Sequence, residues 1–195
     1  NENIYAAVGL HPNDKEVFDQ NFYRELAQHP KVVAIGECGL DFFRNQEARN
    51  SKHEIRDKQS ELFKKQIELA LKLDKPLMIH CRDAHDEVIE ILKARLAVGQ
   101  AESCGLKDKL RGNIHFFSGT WEQAQKYFEL GFTISFAGPV TFSDQYDETI
   151  KNAPLDKIMI ETDAPFACPL MPEHSDGGRA APTPYRGKRN EPAYV

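Results

Sequence analysis

The stretch VVAIGECGLDFF, residues 32–43, is a hydrophobic run that ends on a carboxylate, Glu37, with Gly36 and Gly39 on either side. A strand delivering a glutamate to a glycine-flexed end either runs out into solvent or carries a functional group to a site. The remaining sequence separates the two. Similar β-rich runs occupy 4–10 (IYAAVGL), 76–80 (PLMIH), 112–117 (GNIHFF), 132–137 (FTISFA) and 157–163 (KIMIETD). Amphipathic segments lie between them. In 59–73, Leu62, Phe63, Ile67, Ala70 and Leu71 share one helical face, and Ala84, Val88, Ile91, Leu92 and Leu96 do so in 84–96. The segment 121–130 closes on Gly131, the residue type expected just past a helix C-terminus. Further helices are expected at 16–28 and 145–152. Alternation of this kind is the pattern of a parallel sheet with crossover helices. No repeat, low-complexity run or linker divides the chain, so residues 1–195 read as one domain.

Two architectures fit that alternation. A doubly wound nucleotide-binding sheet wants a glycine-rich phosphate loop after a strand, and the sequence contains neither GxGxxG nor GxxxxGK[ST]. A (β/α)8 TIM barrel instead places its chemistry on side chains at the C-terminal ends of several strands. Here His11, Glu37 and His80 follow or end the first three strands, His115 lies within the fourth, and Asp163 ends the sixth. Such a barrel has eight strands in about 250 residues. The chain offers six, opens NENIYAAVGLHP with a strand almost at once, and ends at NEPAYV. It therefore reads as an α/β TIM barrel truncated at its N-terminus and at its C-terminus as well.

Side chains alternate along a strand, so Glu37, Ile35 and Val33 should share a face, as should His80 with Met78 and Asp163 with Glu161. With those faces inward, Glu37, His80, His115 and Asp163 converge on the barrel mouth. Two carboxylates and two imidazoles form an N/O ligand set for a divalent metal. A carboxylate bridging two ions suits hydrolysis, because paired metals ~3.5–4 Å apart activate water and clamp the displaced oxygens.

Composition excludes other classes. Of the 195 residues, 41% are hydrophobic and 28% charged, values of a globular rather than a disordered chain. No apolar run approaches the ~20 residues needed to cross a bilayer, so no membrane role is expected. The net charge of −5 argues against a general polyanion-coating surface but leaves room for a local basic patch. Cys38, Cys81, Cys104 and Cys168 make no CxxC pair and no secreted disulfide framework, which fits a reduced, cytoplasmic setting.

Six blocks in order, GLHP (9–12), IGECGLDFF (35–43), PLMIHCRDA (76–84), HFFSG (115–119), IETDAP (160–165) and RGKRNEP (186–192), resemble the TatD family of metal-dependent deoxyribonucleases, amidohydrolase-like TIM barrels. The resemblance implies hydrolysis of DNA phosphodiester bonds, often as a 3′-to-5′ exonuclease, at a dinuclear site of the Mg2+ type; Mn2+ or Zn2+ are the other candidates. It puts the family's bridging glutamate on Glu37, its single histidine ligands on His80 and His115, and its last-strand aspartate on Asp163. The family's first-strand D-x-H-x-H pair has no counterpart in these residues and is expected upstream. DNA is the implied partner, single-stranded or at 3′ ends, and no obligate protein partner is inferred. On the same scaffold stand two alternatives: an ester or phosphoester hydrolase, such as an aminoacyl-nucleic-acid deacylase, and a non-catalytic metal-binding relative.

Other polar residues sort around that centre. His11 is either a phosphate contact or a buried structural imidazole before Pro12, and Arg82 either holds a phosphate or starts the 84–96 helix at the surface. Glu161, one layer below Asp163, orients the core rather than touching substrate. Cys38 and Cys81 point away from the mouth as packing residues, and His29, His53, His85 and His174 are expected in solvent. Arg179, Arg186, Lys188 and Arg189, with Tyr185 among them, form a cationic segment that either grips a nucleic-acid backbone or is a solvated tail. Residues 44–58 read as a solvated loop or helix extension, and 97–111 as a surface connection. In the expected mechanism, Asp163 takes the proton of the attacking water, Glu37 serves both metals, and His11, Arg82, Arg186, Lys188 and Arg189 hold the strand.

Overall fold

The computed structural model describes residues 2–43, 53–101, 110–171, 183–184 and 189–194. Six parallel strands pair in chain order: β1 (Ala6–Val8), β2 (Val32–Asp41), β3 (Leu77–Arg82), β4 (Gly112–His115), β5 (Thr133–Phe136) and β6 (Ile158–Ile160). The helices between them are α1 (Gln20–Leu26), α2 (His53–Leu73), α3 (His85–Ala101), α4 (Trp121–Glu129) and α5 (Asp147–Asn152). The strand–helix alternation read from the sequence is present, each strand being within a few residues of its expected place. A separate antiparallel pair joins β7 (Leu170–Met171) and β8 (Thr183–Pro184). Among the described residues the main sheet does not close, so β1 and β6 are its two edges. No helix among the described residues is long and apolar enough to cross a membrane.

Local chemistry sets the helix ends. Thr120 caps α4 reciprocally: its Oγ accepts from the Gln123 amide and the Gln123 side chain accepts from the Thr120 amide. After the helix, Gly131 takes φ 88°, a left-handed conformation for which glycine is the natural residue. The core lies between one sheet face and the helices. Leu77, Ile79 and Cys81 alternate into it from β3 and meet Phe63, Ile67, Ala70, Val88 and Leu92 of α2 and α3.

One expectation about faces fails for a specific reason. The β2–β3 register runs Ile35↔Leu77, then Cys38↔Ile79 and Leu40↔Cys81, so β2 carries one extra residue between Ile35 and Cys38. Such a bulge reverses the two-residue alternation. Ile35, Cys38 and Leu40 all face the helices, whereas Glu37 turns to the opposite side. Ile35 and Glu37 therefore do not share a face; the irregularity, not simple alternation, presents the glutamate.

The segment 44–58 falls partly outside the described residues; its last part, 53–58, is the first turn and a half of α2, the helix extension of the two readings. Of the expected surface connection 97–111, residues 97–101 continue α3, 102–109 lie outside the described residues, and Leu110 is buried in the core.

Candidate metal centre

Strand register places the first pair of imidazoles. His80 stands two residues before the end of β3 and pairs with His115, the last residue of β4, so the two rings stand on adjacent strands. On the other side of β3, Gly39 pairs with His80. A Cβ on Gly39 would lie 2.0 Å from the His80 carbonyl oxygen, and its φ is +135°, so this close approach admits only glycine. The carboxylate of Glu37 reaches across: its Oε1 is 2.9 Å from His80 Nδ1, 3.6 Å from His115 Nε2 and 3.9 Å from His11 Nε2. Asp163 lies past the end of β6, not within it, and brings Oδ1 to 3.4 Å from His115 Nε2. These five side chains line one open pocket of about 530 Å3, with Arg82, Phe116, Ser118, Tyr146 and Phe166 also at its walls.

The chain leaves the mouth through strained turns. Asp83 (φ 54°), Phe116 (φ 48°) and Asp163 (φ 52°) occupy the left-handed region just after β3, β4 and β6. Each costs of order 1–3 kcal/mol, and such strain clusters at functional sites.

Behind the pocket stands a layer of polar groups. Asp41, at the end of β2 and only 1% exposed, accepts from His80 Nε2 (3.1 Å), Asn13 Nδ2 (2.8 Å) and the Phe43 amide (3.0 Å). Gln59 of α2 clasps the Asp41 backbone, accepting from its N–H and donating to its carbonyl. Seven residues on, two helical turns along the same face, Gln66 clasps Leu10 in the same way and so fixes the loop that carries His11. Glu161 accepts from His115 Nδ1 (2.6 Å) and from the Phe116 amide (2.5 Å), so its expected orienting role falls on a named imidazole. Asp41 is the residue that the sequence reading missed. It lies four residues after Glu37 in the same strand, but Gly39 made the strand seem to end earlier.

The metal-free electrostatics follow from these distances. Burial works against a charged His115, but bonding to Asp163 and Glu161 and the charge of Glu37 outweigh it and raise its pKa to about 10. Burial likewise opposes charge on His80, yet Asp41 and Glu37 raise its pKa above the ordinary value. Burial alone would lift Glu37, but its bond to His80 and the neighbouring His115, His80 and His11 hold it below the usual carboxylate value. His11 is lowered by burial and by the charge of His80. Its Nδ1 accepts from the Asn13 amide (3.1 Å), which leaves Nε2 as the proton-bearing nitrogen facing the pocket.

Other expected residues meet mixed outcomes. Arg82 lines the pocket and ends β3 instead of starting a helix; its guanidinium stacks 3.7 Å over the Phe43 ring. His85 is not in solvent. It is buried among α3 and α4, bonded to Tyr127 Oη (3.1 Å), and burial pushes its pKa down to about 4. Its spacing to Val88 and Leu92 on the buried helical face was the available signal, and flanking acids obscured it. His29 is exposed as expected, while His174 and the side chain of His53 lie outside the described residues. Cys38 and Cys81 are buried packing residues whose thiols burial pushes up, so neither supplies a thiolate. Arg179, Tyr185, Arg186 and Lys188 lie outside the described residues; Arg189 is exposed. Next to it, buried Asn190 bonds to the Thr162 and Pro165 carbonyl groups, tying this terminal segment to the loop that carries Asp163.

The donor set fits a divalent cation: two carboxylates and two imidazoles, with both back nitrogens of the imidazoles already held by carboxylates. His11, Asp41 and His80 form a second candidate group, with ligand atoms within 4.8 Å of one another.

A sequence profile describing TatD related DNase matches residues 1–195. The chain is 40% identical over 197 residues to a protein of Bacillus subtilis (strain 168) named uncharacterized metal-dependent hydrolase YabD, covering 98% of this chain and 66% of the relative. It is 32% identical over 197 residues to the 3'-5' ssDNA/RNA exonuclease TatD of Rahnella sp. (strain Y9602), covering 98% of this chain and 66% of that protein. The crystal structure of YJJV, a TATD homolog from Escherichia coli K12, superposes with a TM-score of 0.67 at 30% identity, over 94% of this chain and 64% of that one. The chain thus spans just under two thirds of the length of each. With the profile match covering every residue and the open parallel sheet superposing on a TatD structure, the chain belongs to the TatD related DNase family.

Proposed function

We propose that this chain carries the centre of a metal-dependent hydrolase that cleaves phosphodiester bonds of single-stranded nucleic acid, DNA above all, from the 3′ end. One observation carries the reading: a single carboxylate oxygen, Glu37 Oε1, faces three imidazoles within 3.9 Å in an open pocket that Asp163 completes. The name 3'-5' ssDNA/RNA exonuclease borne by the Rahnella relative supports the substrate. Glu37, His80 and His115 would hold one divalent cation, and Glu37 with Asp163 a second, Mg2+ fitting a site meant for phosphate. We prefer this set to the His11–Asp41–His80 group because both Asp41 oxygens already accept hydrogen bonds and the side chain is enclosed.

Such cations, when bound, supply an acidified water and positive charge opposite the phosphate oxygens. The protein's own groups do the rest. Asp163 orients the attacking water and accepts its proton on the carboxylate. His11, neutral with its proton on Nε2, donates to a phosphate oxygen at the pocket wall. Arg82, its guanidinium 3.7 Å over the Phe43 ring, offers a fork for a second phosphate. Asn190 ties Arg189 to the Asp163 loop, and Arg189, with Arg186 and Lys188, is assigned to the strand backbone.

The test uses the full-length protein and single-stranded DNA labelled at either end, with Mg2+, Mn2+ or EDTA. Stepwise loss from the 3′ end that requires the cation is expected. No cleavage under any condition, with an aminoacyl ester turned over instead, would replace nuclease by deacylase.

A further inference from the structure

The two imidazoles that converge on Glu37 are gripped from behind by different carboxylates at different ring nitrogens. Asp41 Oδ2 lies 3.1 Å from His80 Nε2, and Glu161 Oε2 lies 2.6 Å from His115 Nδ1. The opposite nitrogens, Nδ1 of His80 and Nε2 of His115, are the ones that face Glu37 Oε1, at 2.9 Å and 3.6 Å. A carboxylate can only accept, so without a metal both nitrogens of each ring carry protons; a cation seated against Glu37 would displace the front proton and leave the one that Asp41 or Glu161 holds. We propose that Asp41 and Glu161 are a matched pair of positioning residues that assign opposite tautomers, Nε2–H on His80 and Nδ1–H on His115. The lone pairs left over, on His80 Nδ1 and His115 Nε2, become the ligand nitrogens. This inference rests on the metal site proposed above.

The surroundings of both carboxylates explain why neither could be an amide. Asp41 receives the His80 ring and the Asn13 side chain on one oxygen and the Phe43 N–H on the other. Glu161 receives the His115 ring on one oxygen and the Phe116 N–H on the other. An asparagine or glutamine would set its NH2 against one of these donors. The Asp41 carboxylate is also fixed in place. Gln59 braces the Asp41 backbone on both sides, and the register Asp41↔Arg82 holds the end of β2 against β3. The continuation of β2 four residues beyond Glu37 thereby has a purpose: it brings an enclosed acid behind the ring whose front the first acid faces. On general grounds, loss of such an outer carboxylate weakens metal binding 10–100-fold.

The experiment measures Mn2+ affinity of the full-length protein by titration calorimetry, for wild type, Asp41→Asn, Glu161→Gln and, as control, Asp147→Asn on the surface of α5. Expected is a loss of about 10–100-fold in each of the first two variants and none in the control. Wild-type protein that binds no Mn2+ would overturn the metal reading itself. Wild-type binding with both variants within twofold would overturn the positioning roles alone. Because a buried substitution can unfold a protein, a second measurement needs no variant. In 15N-histidine NMR spectra of the Zn2+-loaded wild type, His80 should keep its proton on Nε2 and His115 on Nδ1. The reverse tautomer at either ring contradicts the inference, whatever the variants do.

Discussion

Raising the pH should tighten metal binding steeply, and the geometry gives the slope. In the metal-free protein, Asp163, Glu161 and Glu37 raise the His115 pKa to about 10. A cation taking His115 as ligand must displace a proton, so competition weakens apparent binding by about 10 raised to the power (pKa − pH). That factor is about 10^3 at pH 7, about 10^2 at pH 8 and about 10 at pH 9. An ordinary histidine, with a pKa near 6.5, would give a factor close to one over the same range. His80 is raised as well, so its proton steepens the dependence further. Apparent Mn2+ affinity should therefore improve at least tenfold per pH unit between about pH 7 and 9. Calorimetry in buffers of different ionisation enthalpy counts the released protons directly; one to two per ion are expected. Affinity independent of pH, with no proton released, would refute the assignment of these imidazoles as ligands. The same shift acts on folding with the opposite sense. A pKa raised in the folded state stabilises fully below the unfolded value near 6.5 and loses that stabilisation as pH rises through about 10. The metal-free protein should melt at progressively lower temperature over that interval.

Further expectations follow from single residues. Asp163→Asn keeps shape and an acceptor but no base, so turnover should fall by at least ~10²–10⁴-fold, while metal analysis still finds the Glu37–His80–His115 site filled. Wild-type cleavage would remove Asp163 from the chemistry. Glu37→Gln should slow cleavage more than His80→Ala, because Glu37 serves both proposed cations; rates measured across an Mg2+ titration decide the order. Gly39→Ala forces a Cβ to within 2.0 Å of the His80 carbonyl at φ +135°, so a loss of roughly 2 kcal/mol or more should show in denaturant unfolding. The 195-residue chain expressed by itself should self-associate through the edges β1 and β6, with Ile160 exposed on β6 and Ile4 and Tyr5 exposed just before β1; sedimentation velocity showing a monodisperse monomer would count against this.

Residue chemistry made much of this legible in advance. Strand ends rich in His, Asp and Glu pointed to a barrel mouth, and His80 and His115 do stand on paired positions of neighbouring strands. What escaped was geometry that no local pattern encodes. A bulge between Ile35 and Cys38 turns Glu37 to the pocket side, a placement that simple alternation reaches for a reason the strand does not obey. Asp41 escapes a local reading because glycine commonly ends a strand, whereas Gly39 lets β2 run past the His80 carbonyl. His85 shares the face of Val88 and Leu92, but its acidic neighbours resembled a solvated turn. Its partner, Tyr127, is 42 residues away, a distance that only tertiary packing bridges.

The most direct test of the central claim is anomalous diffraction from crystals of the full-length protein loaded with Mn2+. The account predicts an anomalous peak ligated by Glu37, His80 Nδ1 and His115 Nε2, with a second beside Glu37 and Asp163. A peak held by His11, Asp41 and His80, or Mn2+ binding that leaves Glu37 unligated, would contradict it.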